Sequence, residues 1–163
     1  MQQKRGKAGL FGFLKWICVA LLLLFLAGQL GRDRQSAAPF DSVLQAVTAR
    51  ADMAAMQEAD SQMIRRLYGL NPGDYEAIAL YYPATNMGAE ELLLVKLADP
   101  AQQAAVSEAI ASRLATQLAS FDGYGVEQYA MLQAAVTDLQ GNYVLFVSAA
   151  DPAAVRQAFQ AAL

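Results

Sequence analysis

The residues whose types and spacing best suit chemistry lie in FDGYGVEQY, Phe121 to Tyr129. Two glycines flank a tyrosine, and Asp122, Glu127, Gln128 and Tyr129 supply polar groups within one short stretch. Such a loop fits a ligand: Tyr124 offers a flat stacking face, and the carboxylates and amide offer hydrogen bonds. Backbone needs explain the same letters. Gly123 would stop a helix in a left-handed conformation, Gly125 would permit a turn, and Val126 would start the next helix. A second candidate is PATNMGAEE, Pro83 to Glu91, which is long for a hairpin connection. Asn86, Glu90 and Glu91 are hard-cation ligand types, but the spacing of a calcium loop is absent. Glu90-Glu91 reads instead as a solvated strand start. The candidate ligand or partner contacts are therefore Asp122, Tyr124, Glu127, Gln128, Tyr129 and Asn86. No catalytic residue, metal ligand or cofactor is expected.

Composition removes much familiar chemistry. The 163 residues contain no histidine, so Ser-His-Asp, Cys-His and histidine-zinc sites are excluded. Cys18 is the one cysteine, so no internal disulfide can form. Paired carboxylates such as Asp74 with Glu76, or Glu58 with Asp60, lack the separation across a cleft that glycoside hydrolysis requires. Arg65-Arg66 could meet a polymer anion, although two cations on a solvated helix face give the same pattern.

The elements that must position these residues begin after a greasy leader. Residues 1–34 carry six basic side chains against Asp33, a net of +5; with −3 overall, residues 35–163 carry −8. Phosphate backbones repel such a body, so nucleic acid is not an expected partner. The run WICVALLLLFLAG is short for a bilayer span, but extending it back through AGLFGFLK makes residues 8–30 long enough, with Lys15 snorkelling. Cleavage after Gly28 would place Leu26 where a small residue is preferred. Cleavage after Ala38 would be followed by Pro39. We therefore expect an uncleaved membrane helix within residues 1–30, a linker at 31–40 and one domain at 41–163. The basic flank places that domain on the extracytoplasmic side, single-pass. Secretion after signal cleavage is the alternative.

FDSVLQAVTAR reads as a helix with Asp41 as its cap, and Asp60 to Tyr68 as another stopped by Gly69. The chain then repeats a pattern: LLVKLADPA is answered by LFVSAADPA 52 residues later. Asp99 and Asp151 suit helix caps, and Pro100 and Pro152 suit the first helical turn. Val106, Ile110, Leu114, Leu118 and Phe121 form one stripe, and Val155, Ala158, Phe159 and Ala162 a shorter one. Gly141-Asn142 signals a tight hairpin. The expected fold is α+β: a four-stranded antiparallel sheet from two ββα units, with both long helices on one face. Ile78, Leu80, Leu93, Val95, Leu97, Leu145 and Val147 are expected beneath those helices. Tyr81, Leu92, Leu94, Val144 and Phe146 belong to the other face, which is too apolar for water. The helices at 41–68 would cover it, or part of it would dock a protein.

The segments LYGLNPGDYEAIALYYPATNMGAEELLLVK, SFDGYGVEQYAMLQ and GNYVLFVSAADPAAVRQAF resemble the bacterial family catalogued as domain of unknown function 4358. The resemblance spans about residues 41–163. It implies an anchored or lipidated envelope protein of Gram-positive type and carries no catalytic residue over. The lipobox cysteine of such proteins is missing here, which favours a helical anchor. The expected role is a non-catalytic binding or scaffolding module, with another envelope protein or a surface polymer as partner. The alternative is an accessory, hydrolytic or transfer enzyme of surface-polymer modification, using carboxylates or tyrosines near 121–129.

Overall fold

Short-range signals set most helix ends. The computed structural model describes residues 35–163, so the expected membrane helix at 1–30 and the first residues of the 31–40 linker lie outside the described residues. Helix α1 (Phe40–Thr48) starts behind Pro39 with no side-chain cap; Asp41 lies inside its first turn rather than capping it. Helix α2 (Ser61–Tyr68) is capped by Asp60, which accepts the Met63 N–H at 2.7 Å, and ends at Gly69. Helix α3 (Gln103–Phe121) follows a turn at Pro100–Gln102. There Asp99 accepts the Ala101 N–H at 2.8 Å and Gln102 accepts the Asp99 N–H at 3.1 Å, a reciprocal cap. After α4 (Val126–Gln133), the last helix α5 (Pro152–Ala162) begins with Asp151 accepting the Ala154 N–H. Both Asp-Pro pairs do what their residue types predict.

Five strands form one antiparallel sheet in the order β1-β2-β3-β5-β4. They are β1 (Met56–Glu58), β2 (Ala77–Pro83), β3 (Glu91–Lys96), β4 (Val136–Gln140) and β5 (Tyr143–Ser148). Four strands were expected. The fifth, β1, is three residues long and pairs with Tyr81–Pro83. So short a strand has no period to detect. The Gly141-Asn142 hairpin forms as expected, with Gln140 opposite Tyr143.

The helix layers also differ from expectation. Helix α3 packs with α2 on one face, against Leu93, Val95, Val144 and Phe146. Helix α5 packs with α1 on the opposite face, against Leu92, Leu94, Leu145 and Val147. The two long helices therefore do not share a face, and β5 has the reverse parity to that expected. The reason is in YVLFVS: every residue of β3 and of β5 is buried, so neither strand alternates and neither reveals which residues face which layer. The register fixes it, pairing Leu93 with Phe146 and Leu94 with Leu145. A two-fold axis between antiparallel β3 and β5, normal to the sheet, would leave both helices on one face, so the repeated ββα pattern is not a symmetric duplication. The second apolar face is not an open docking surface, because Val43, Val47, Val155 and Phe159 close it.

The sheet has two distinct ends. Lys96, Tyr143, Ala77 and Gln140 lie at one; Glu91, Ser148 and Tyr81 lie at the other. Residues 36–38 are fastened at the Lys96 end. Ser36 donates its N–H to Asn142 Oδ1 at 2.8 Å and its hydroxyl to the Leu163 carbonyl at 3.3 Å. Tyr143 donates its hydroxyl to the Ala38 carbonyl at 2.8 Å, and Lys96 Nζ reaches the same oxygen at 3.4 Å. The last residues of the expected linker are thus fastened to the body.

Candidate functional site

At the other end of the sheet an open cleft of about 280 Å³ lies between α2, α3 and the ends of β1 and β2. Met63, Arg66 and Leu67 of α2 form one wall, and Arg113 and Gln117 of α3 another. Gln57, Tyr82 and the 83–88 segment complete it. That segment folds back tightly: a Cβ on Gly88 would sit 2.8 Å from the Pro83 Cβ, so only glycine fits without movement.

Behind the cleft lies a buried polar network. Glu91, at the start of β3, is 1 % exposed. Its Oε1 accepts Arg113 Nε at 3.0 Å and the Tyr68 hydroxyl; its Oε2 accepts Arg113 Nη2 at 2.6 Å and Gln117 Nε2 at 3.1 Å. Burial is affordable here because the charge is paired by a two-pronged guanidinium and both oxygens are saturated. Burial, with the Glu91 charge beside it, pushes the Tyr68 phenol well above its usual range, so the hydroxyl stays a donor. Burial alone would make the Arg113 guanidinium easier to deprotonate. The Glu91 hydrogen bond and charge outweigh that and hold it more firmly protonated than usual. Four donors of the chain itself thus occupy the two oxygens of this carboxylate. Chemically the network is an anchor: it fixes Arg113 and Gln117 at the cleft wall.

This overturns the reading of Glu90-Glu91 as a solvated pair. Glu90 accepts the neighbouring Ala89 N–H at 3.0 Å, while Glu91 turns inward. Of the sequence candidates, Asn86 lines the cleft. Of the other five, Asp122 and Tyr124 lie in the α3–α4 turn and Glu127, Gln128 and Tyr129 in the first turn of α4, and none lines it. Gly123 there is left-handed, with φ of 84°, as expected for a helix stop. Asp122 and Glu127 are exposed, Gln128 and Tyr129 half-buried, and Tyr124 is 63 % exposed with its ring tilted against Phe121 at 6.0 Å. Tyr129 packs beside Phe121, Ala89 and Leu132. Among the described residues no cluster of three or more carboxylate or thiol groups could hold a metal ion.

Sequence reasoning weighed Glu91 only as a cation ligand or a solvated strand start, and missed Tyr68, Arg113 and Gln117. A weak signal for the last two existed. They fall four apart on the flank of the Val106-Ile110-Leu114-Leu118 stripe, where a polar pair borders the core.

A family model described as "Domain of unknown function (DUF4358)" matches residues 49–149, a span that holds the whole cleft lining and the network behind it. No curated protein and no solved structure matches the chain.

Proposed function

The chain belongs to the DUF4358 family, and from that premise we propose a membrane-anchored extracytoplasmic module of the bacterial cell envelope that binds or scaffolds rather than catalyses. The observation that carries this reading is an open cleft backed by a buried, fully paired carboxylate, at the end of the sheet away from residues 36–38. Residues 36–38 join the body at the Lys96 end of the sheet, and the cleft opens at the Glu91 end. Six residues of β3 at about 3.3 Å each put roughly 20 Å between those ends. Residues 36–38 therefore lie at the far end of the sheet from the cleft. The basic, greasy leader supports the anchor, and the −8 charge of residues 35–163 supports a body that does not adhere to anionic lipid. The saturated Glu91 carboxylate supports binding over catalysis.

Two measurements on the full chain test this. With Cys18→Ser, the sole thiol is removed, and Asn86→Cys places one at the cleft. A membrane-impermeant maleimide should label it in intact cells; labelling only after lysis would refute the extracytoplasmic location. A photocrosslinking residue at position 86 should capture an envelope protein or surface polymer that one at the exposed Glu108 does not. Equal capture at both positions, or none, would refute the cleft as the working surface.

A further inference from the structure

We infer that the cleft takes an anionic group, a phosphoryl or carboxylate, on the guanidinium groups of Arg66 and Arg113. This rests on the reading of the cleft as the binding surface and names what it binds. Residues 35–163 hold 14 carboxylates and six basic side chains. The cleft inverts that ratio: two of the six bases line it, and none of the carboxylates does. On a body this acidic, a lining without carboxylates that also gathers two arginines is a place where an anion meets reduced repulsion.

The two arginines are prepared differently. Arg113 is held by Glu91 through Nε and Nη2, with 14 % of its side chain exposed. Its Nη1 amino group is uncommitted among the described residues. A guanidinium fixed in this way loses little freedom when a ligand arrives. Glu91 cancels much of its charge, so Arg113 contributes oriented donors more than net attraction. Arg66, exposed on α2, has no ion pair among the described residues and supplies the uncancelled positive charge. The neutral donors around them are the Asn86 amide, the Thr85 hydroxyl and the second N–H of Gln57 and of Gln117, whose first N–H groups go to the Pro83 carbonyl and to Glu91; they match the several acceptor oxygens of an oxyanion or of the polar unit that bears it. The Glu90 carboxylate borders the cleft beside Gly88 and accepts the Ala89 N–H rather than lining it.

The test is calorimetric titration of the full chain, in a non-ionic detergent at low ionic strength, with inorganic phosphate, with acetate and with glycerol as the neutral control. Saturable binding of phosphate, acetate or both is expected, weakening with added salt. Phosphate alone identifies a phosphoryl site, acetate alone a carboxylate site, and both a site that reads charge. Arg66→Gln should weaken binding on the order of tenfold, as loss of a charge-assisted contact does. Arg50→Gln, which removes the same charge from an exposed arginine outside the cleft lining, should leave it unchanged. Equal loss in the two variants, or no saturable binding of either anion, would overturn the inference. If capture at position 86 persists in that case, the cleft remains the binding surface and only its ligand class is wrong.

Discussion

The molecule holds a strand carboxylate the same way twice, once on each face of the sheet. On the α3 face, Glu91 of β3 is gripped by Arg113 and Gln117, four residues apart on one helix. On the α5 face, Asp138 of β4 is gripped by Arg156 at 2.7 Å and Gln160 at 2.6 Å, again four apart. In each clamp the arginine supplies charge, and the amide one turn on shares the same oxygen. The surroundings differ. Arg113 has 14 % of its side chain exposed and Tyr68 closes the network from within; Arg156 has 51 % exposed, and Gln140 at 2.9 Å is the further donor to Asp138. The Glu91 clamp stands at the cleft with all its members inside the family match, whereas Arg156 and Gln160 lie beyond residue 149. One device therefore does two jobs. Buried, it builds the wall of a site; half-exposed, it fastens the last helix to an edge strand.

The comparison breaks first at Arg113. Arg113→Met should destabilise the body by about 3–5 kcal/mol, because a buried carboxylate loses its counter-charge. Urea unfolding of residues 35–163 should show a lower midpoint with an unchanged slope. Adding Glu91→Leu should restore most of the loss, since an apolar pair of similar volume is often as stable as a buried ion pair. No recovery would mean that Arg113 acts through packing and not charge. Next in size is Tyr68→Phe, expected to cost about 1.5–3 kcal/mol as a lost hydrogen bond to a charged group. Its pH signature has a definite sign. The Tyr68 phenol titrates higher folded than unfolded, so its stabilisation is full below pH ~10 and is lost as pH rises through the folded value. The Phe variant should be flatter than wild type on the alkaline side.

Which parts were legible in the sequence follows from the range of the interactions. Asp99-Pro100, Asp151-Pro152 and Gly141-Asn142 act within a few residues, and each produced the predicted structure. The Phe121–Tyr129 stretch was legible as a helix stop and restart for the same reason. The parity of β5 was not, because a strand buried on both sides has no alternation to read. Nor was the burial of Glu91. Taken alone, two adjacent glutamates predict solvent; the partner that makes burial tolerable lies 22 residues on, in a helix read only for its apolar stripe. Asn86 reached the cleft from a connection singled out for its length, while Arg66 and Arg113 came to line one cleft only through the packing of α2 and α3 on one face.

The exposed clamp should respond more weakly and at the other end of the pH scale. Arg156→Met is expected to cost about 1 kcal/mol or less, since half of the arginine side chain is in water and Gln160 and Gln140 still serve Asp138. Burial alone would raise the Asp138 pKa, but the hydrogen bonds from Arg156, Gln140 and Gln160 outweigh it and hold the carboxyl below the usual aspartate range. A group whose folded pKa is depressed contributes stability that is present above its unfolded value, near ~3.9, and lost as pH falls through the folded one. Wild type should therefore lose stability below about pH 4 partly through Asp138. Asp138→Asn should remove that contribution, and Arg156→Met should reduce it. If the acid limb of urea midpoint against pH is the same in all three proteins, the Asp138 clamp is a surface contact without energetic weight, and the likeness between the two faces is one of geometry alone.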